Sequence, residues 1–192
     1  MRQEVNMERY DGFGKGGAYD DKALEASVNE FQKLFGMELK DIWNIDDRNS
    51  FLTAMNAWLS EKCEYGDNMS VLTPEERTVY VVNAFREEVD NGGFEQYLYN
   101  SSGMLAGELI SALRAVGYDH VEGYAKALER LPAELPADDE ERERLLDDML
   151  DEEIENGLDL ELQDCDMLFY EHEDELDELL YRFINDNRNG FV

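Results

Sequence analysis

Carboxylates dominate the side chains of this sequence that could do chemistry. Residues 133–186 contain 23 Asp and Glu against three Arg, which is a net charge of −20 in 54 residues. Clustered carboxylates attract metal ions and basic protein surfaces. They repel the phosphates of nucleic acids and of anionic membranes. The sequence therefore predicts cationic partners and argues against direct binding to DNA, RNA or lipid.

Helical spacing separates these acids from the apolar residues on two predicted helices, over residues 138–155 and 173–187. Advancing by 100° per residue places the apolar side chains on one side of each helix and most acids on the other. Arg142, Glu143 and Glu153 fall within the apolar arc, and the pattern does not explain them. The acids that we predict to face outward and to bind a partner are Glu140, Glu141, Asp147, Asp148, Asp151, Glu152, Glu155, Asp174, Glu175, Asp177 and Glu178.

These acidic faces have two interpretations. Most charged helix faces are simply solvated. However, like charges at i,i+4 cost about 0.2–0.5 kcal/mol each, and the two helices contain almost no compensating bases. Positions i and i+4 lie about 6 Å apart along a helix, which is comparable to the few ångströms that separate the charges of DNA. The acids could therefore present a basic DNA-binding surface with acceptors that resemble a phosphate backbone.

Two other motifs fail on their context. Residues 12–17 fit the pattern G-x-G-x-x-G, but no predicted strand precedes them and Asp20 and Asp21 would repel a phosphate. Residues 185–190 resemble the start of a calcium loop whose closing glutamate is missing. Neither motif is interpreted as a binding site.

Histidine and cysteine patterns indicate no metal or catalytic site. His120 and His172 are the only histidines, and they lack the Glu-x-x-His spacing of carboxylate-bridged metal pairs, so we expect surface residues or caps. Cys63 and Cys165 lack metal and redox spacing and are expected to be reduced thiols. We predict no catalytic residue, no metal ligand and no cofactor.

Helices are the secondary structure that carries these acids. The chain has 192 residues, of which 43% are hydrophobic and three are prolines, and this favours a folded protein despite a net charge of −30. Helical periodicity dominates, and no segment indicates a convincing strand. The clearest helix start is Thr-Pro-Glu-Glu at residues 73–76, and Asp46 or Asp47 is expected to cap an earlier helix. We predict an all-α fold, a compact multi-helix domain of about eight helices.

The sequence divides into three predicted parts. Residues 1–18 are a flexible glycine-rich leader, residues 19–70 an N-terminal helical segment, and residues 71–192 a helical domain with the acidic C-terminal helices. No signal peptide and no apolar run of roughly 20 residues is recognisable. We therefore expect a cytoplasmic protein that does not bind membranes.

A stretch around residue 95 resembles a known family. The sequence Asp-Asn-Gly-Gly-Phe-Glu-Gln-Tyr-Leu-Tyr-Asn-Ser-Ser-Gly at 90–103, with Arg-Ala-Val-Gly-Tyr at 114–118, is similar to the neisserial DNA-mimic protein family of the DMP-nineteen type. This domain is widespread in bacteria. The likeness runs roughly from Leu72 to Asn187 and includes the final amphipathic helix. The resemblance implies an all-helical, acidic protein, with a homodimer as one option, that occupies the DNA-binding face of a transcription factor.

The family motif is predicted to be structural, with a functional pocket as the alternative. We expect its Asn-Gly-Gly to break a helix, its two aromatic residues to pack in the core, and its two amides to bond local backbone. The motif residues are Asn91, Gly92, Gly93, Phe94, Gln96, Tyr97 and Asn100.

The function that these observations favour is binding without catalysis. We predict a module that binds a basic DNA-binding or nucleic-acid-processing protein by mimicking DNA. The same physics would suit an immunity or antitoxin protein that blocks a basic nuclease. Alternatives from other classes are a divalent-metal-dependent enzyme and a domain whose charge only confers solubility.

Overall fold

The computed structural model describes residue 29 and residues 32–152 and 157–192, with side chains at all of these except 151, 152 and 159. This part of the chain contains α-helices and short 3₁₀ turns but no β-strand, so the predicted all-α fold is confirmed. The predicted leader, residues 1–18, lies outside the described residues. The α-helices are α1 (Leu39–Ile42), α2 (Arg48–Lys62), α3 (Pro74–Tyr99), α4 (Ala106–Val116), α5 (Glu122–Leu128), α6 (Asp139–Glu152) and α7 (Leu158–Asp186).

Helices α2 and α3 begin at the capping residues that the sequence predicts. The Asp47 carboxylate precedes α2 and accepts a hydrogen bond of 2.8 Å from the Ser50 N–H. Before α3, the Thr73 hydroxyl accepts from the Glu76 N–H at 3.2 Å, and the Glu76 carboxylate accepts from the Thr73 N–H at 2.9 Å. These bonds satisfy N–H groups that have no partner within their helix.

Helix α3 is the central element, and α2, α4, α6 and α7 all pack against it. The ring of Phe85 on α3 contacts four other aromatic rings edge-to-face, at centroid distances from 5.2 to 5.9 Å. Such pairs add about 0.5–1.5 kcal/mol each beyond the area that they bury. The four partners are Phe94, Tyr97, Tyr124 and Phe169. This cluster fixes the central helix on which both acidic helices pack.

Helix α7 is longer than predicted. It runs for 29 residues from Leu158 to Asp186, whereas the sequence predicts a helix over 173–187. At 1.5 Å per residue it is about 43 Å long. Its buried apolar residues continue at spacings of three, four and seven along the whole length, namely Leu158, Leu162, Cys165, Phe169, Leu176, Leu180 and Ile184.

The other boundaries differ from prediction by a few residues. Helix α6 covers 139–152 of the predicted 138–155, and residues 153–156 lie outside the described part. Helix α5 begins at Glu122, after a connection in which Tyr118 and Val121 are buried. Helix α4 ends at Gly117, whose backbone is left-handed with φ +88°.

Both cysteines are free and buried. Burial raises the pKa of the Cys165 thiol to about 12, so this thiol stays protonated at neutral pH. Of the helices within the described ranges, none has both the length and the apolar composition that crossing a membrane requires.

Candidate partner-binding surface

Helix α6 is held in place by a buried arginine that the sequence pattern does not explain. The Arg142 guanidinium is fully buried and donates to the carbonyl oxygens of Tyr99 at 3.0 Å and Pro136 at 2.7 Å. It also pairs with Asp139. Tyr99 is the last residue of α3, where a cation is favoured by the helix dipole. Arg142 therefore lies on the buried side of α6 because it binds backbone oxygens there.

The acids on the other side of α6 are exposed, as predicted. Glu140, Glu141 and Asp148 face solvent, and none of them pairs with a basic side chain of the described residues. Asp147 is also exposed and accepts a hydrogen bond of 2.6 Å from the Tyr99 hydroxyl. Burial, together with this bond to Asp147, raises the pKa of the Tyr99 phenol. The result is a helix whose exposed side has an excess of negative charge, interrupted by the exposed Arg144.

Three of the predicted acids cannot be placed on this surface. Asp151 and Glu152 belong to α6, but their side chains are outside the described set. Glu155 lies wholly outside the described residues. Their assignment to the binding surface stays a prediction.

The acids of α7 are more heavily paired than those of α6. The carboxylates of Asp174 and Glu178 each lie 3.6 Å from the Arg48 guanidinium. Glu175 lies beside the two histidines, 3.3 Å from His120 and 3.4 Å from His172. These three acids are exposed, as predicted, but part of their charge is balanced.

The prediction that Asp177 faces outward is wrong. Asp177 is buried, and its Oδ1 lies 2.5 Å from Nη1 of Arg86 on α3. Glu173 lies four residues earlier on the same side and is partly buried. Burial raises the pKa of Glu173, and the nearby carboxylates of Asp90 and Asp177 raise it further. The side of α7 that meets α3 therefore contains acids as well as apolar residues.

An exposed apolar strip, formed by Leu160, Met167 and Tyr170, lies on the outer side of α7. These side chains are 63%, 64% and 54% exposed, and their spacings of seven and three place them on one face. The exposed acids Glu171 and Asp174 continue the same face towards the C-terminus. This strip was not predicted from the sequence, although its residues lie outside the spacing that the buried residues of α7 follow. Exposed Met and Tyr beside charge are typical of protein interfaces.

Within the described ranges, the two acidic helices α6 and α7 make no extensive contact with one another, and both pack on α3. The acids therefore form two separate strips on a common central helix.

The glycines of the family motif make a break inside α3, as predicted. Gly92 and Gly93 depart from helical geometry, and Gly93 has φ +87° in the left-handed region. A Cβ at position 93 would lie 2.8 Å from Oδ2 of Asp166. The same carboxylate accepts a hydrogen bond of 2.5 Å from the Phe94 N–H. Asp166 of α7 thus caps the second part of α3, residues 94–99.

The remaining motif residues support this break. Phe94 and Tyr97 are buried in the core and stack on each other, as predicted. The prediction that the two amides bond local backbone is wrong, because Gln96 and Asn100 both donate to Glu88 Oε2, at 2.8 and 2.7 Å. The carboxylate offers a stronger acceptor than a neutral carbonyl.

The fold and its charge define a class, an all-α protein with acidic strips on two long helices. The sequence profile described as DMP19-like protein matches residues 70–187, which is more than half of the chain, so the chain belongs to the DMP19-like protein family. The predicted family is therefore confirmed. The matched range is nearly the predicted one, which runs from Leu72 to Asn187. No curated protein and no solved structure matches the chain.

Proposed function

We propose that the chain is a non-enzymatic binding module of the cytoplasm that mimics DNA and occupies the basic face of a DNA-binding protein such as a transcription factor. The observation that carries this proposal is the exposed face of α6, where Glu140, Glu141 and Asp148 have no basic partner among the described residues. The like charges of such a face repel one another, and a basic surface that covers them stabilises the face.

The spacing of these acids suits the proposal. Glu141 and Asp148 are seven residues apart on α6, which is about 10 Å along the helix axis. Three successive steps between phosphates of one DNA strand cover a similar distance, at about 3.4 Å each. Because Arg142 fixes α6 to the end of α3, the carboxylates are held on a rigid frame. A surface that binds phosphates can therefore bind them without rearrangement of the helix.

The apolar strip on α7 supports a protein as the partner. Charged rims mainly accelerate association, whereas buried aromatic and aliphatic anchors supply most of the affinity. Leu160, Met167 and Tyr170 are exposed anchors of this kind, next to the acids of α7. A partner that covers the exposed acids together with this apolar strip would combine rapid, salt-sensitive association with a specific apolar contact.

Competition with DNA tests this function. The chain is immobilised, proteins retained from its native cell lysate at low salt are identified, and the purified partner is titrated with labelled duplex DNA. We expect the chain to displace the DNA. A partner that binds DNA and the chain simultaneously, or retention of no nucleic-acid-binding protein, would contradict the proposal. If the partner is a nuclease whose cleavage is blocked, the immunity alternative replaces it.

Charge reversal on α6 tests the surface itself. The variant Glu140→Lys, Glu141→Lys, Asp148→Lys should weaken binding to the partner at least about 100-fold, because each reversed contact costs on the order of 1 kcal/mol or more. The matched control is Asp41→Lys, Asp46→Lys, Glu61→Lys, three exposed acids of the N-terminal segment that change the net charge equally. Equal loss in both variants would show that net charge, and not the α6 face, determines binding.

A further inference from the structure

The only two histidines of the chain meet, although they are 52 positions apart. The rings of His120 and His172 stack with their centroids 3.6 Å apart and their planes at 12°. Glu175 Oε2 lies 3.3 Å from Nε2 of His120 and 3.4 Å from Nδ1 of His172. All three donor atoms lie within 4.8 Å of one another. The sequence prediction of separate surface residues or caps does not account for this cluster.

Well-packed elements position the three side chains. His172 and Glu175 lie one turn apart on α7, so they project from the same side of a long helix. His120 lies in the connection between α4 and α5, and its ring contacts the buried ring of Tyr118 at 5.3 Å. Because the buried Tyr118 anchors this connection, the position of the His120 ring does not depend on an unanchored loop.

We propose that His120, His172 and Glu175 bind a Zn²⁺ ion. Two imidazole nitrogens and one carboxylate oxygen are a donor set that zinc uses in proteins, with bonds of about 2.0–2.2 Å. In a tetrahedron with such bonds, neighbouring donor atoms are about 3.3–3.5 Å apart. The two nitrogen-to-oxygen distances are 3.3 and 3.4 Å while the rings are stacked, so the donor atoms are near enough to share one ion after the rings turn. A water molecule would complete the four ligands.

Binding requires one movement, a turn of the rings out of their stack. The nitrogen lone pairs lie in the ring planes, so nearly parallel rings cannot both point at one ion. The side chains of His120 and His172 are 34% and 24% exposed, which leaves room for this rotation. Neutral imidazole does not suit the hard cations Ca²⁺ and Mg²⁺, which take oxygen ligands. The cluster should therefore select zinc over these ions.

Calorimetric titration of the tag-free chain with Zn²⁺ tests the proposal. We expect one ion per chain with micromolar or tighter affinity, at least about tenfold weaker binding in each of His120→Ala, His172→Ala and Glu175→Gln, and no comparable binding of Ca²⁺ or Mg²⁺. The control is Asp174→Asn, which removes a neighbouring exposed carboxylate outside the cluster and should leave zinc affinity unchanged. Equal affinity in the wild type and in both histidine variants would overturn the proposal.

A measurement on the unmodified chain avoids any dependence on variants that fail to fold. Because the chain contains only two histidines, their ring proton resonances are the only imidazole signals in its NMR spectrum. One equivalent of Zn²⁺ should shift both sets of signals together. If one equivalent shifts neither set, the two imidazoles are only a packing contact between α7 and the α4–α5 connection, and the proposal is wrong.

Discussion

Gly93 shows how a single residue of the family motif is constrained. Its backbone has φ +87° and ψ 174°, a combination that is essentially restricted to glycine. A side chain would also approach the Asp166 carboxylate, which is held by the Phe94 N–H. Two independent causes therefore require glycine at this position.

Replacement of Gly93 should be more damaging than replacement of a glycine in the ordinary left-handed helical conformation. We expect Gly93→Ala to lower the free energy of unfolding by about 3 kcal/mol, since it adds loss of the Asp166 cap to the cost of a backbone conformation that is nearly restricted to glycine. The measurement is urea denaturation followed by circular dichroism. Gly157→Ala is the comparison, because Gly157 has φ +81° and ψ +21°, which other residues adopt at a cost of about 1–2 kcal/mol, with nothing within 4 Å of its added Cβ. Equal destabilisation in both variants would argue against both the Asp166 contact and the backbone restriction at Gly93.

At the scale of the elements, Asp177 and Arg86 tie α7 to α3. We expect Asp177→Ala to destabilise the fold by about 2 kcal/mol, because it leaves the Arg86 guanidinium without its carboxylate partner. Breaking a fully buried pair would cost more, but both of these side chains keep some exposure to solvent. Thermal and chemical denaturation measure this loss. Glu178→Ala, which removes an exposed partner of Arg48, should cost less than about 0.5 kcal/mol. If the Asp177→Ala variant keeps its stability but binds the partner more weakly, the result would support the original prediction that Asp177 is an exposed binding residue.

The sequence predicts helix starts and breaks that have a capping residue or a glycine pair better than it predicts which faces are buried. The caps at Asp47 and Thr73 and the break at Gly92 and Gly93 involve residue types that lie within a few positions of one another, so the local sequence identifies them. The error at Asp177 has a different origin. The prediction assigns one buried half to each helix, but α7 packs against α2, α3, α4 and α5. Its buried arc is therefore wider than half and takes in acids as well as apolar residues.

The candidate sites also differ in how well the local sequence predicts them. The exposed acids of α6 follow from composition and period, and the structure places Glu140, Glu141, Asp147 and Asp148 as predicted. The contact of His120 with His172 depends on how the α4–α5 connection packs on α7, which no local pattern encodes. Likewise, the buried position of Arg142 depends on the end of α3.

At the scale of the whole molecule, the net charge of −30 opposes folding by self-repulsion. We expect the melting temperature to rise by several degrees as NaCl increases from about 0.02 to 0.5 M, because the Debye length falls from roughly 20 to 4 Å. Partner binding should weaken over the same range. Differential scanning calorimetry measures the first effect, and the α6 charge-reversal variant should show a smaller rise. A melting temperature independent of salt would indicate that the acids are too far apart to repel one another.

The break in α3 has a consequence for the order in which the chain folds. Residues 74–91 carry their own capping box, so this part can nucleate from local contacts. Residues 94–99 receive their cap from Asp166, which is 72 positions away from Phe94. Closing so long a loop is slow and entropically costly. We therefore expect the two parts of α3 to form in separate kinetic steps, with the second part completed only when α7 docks.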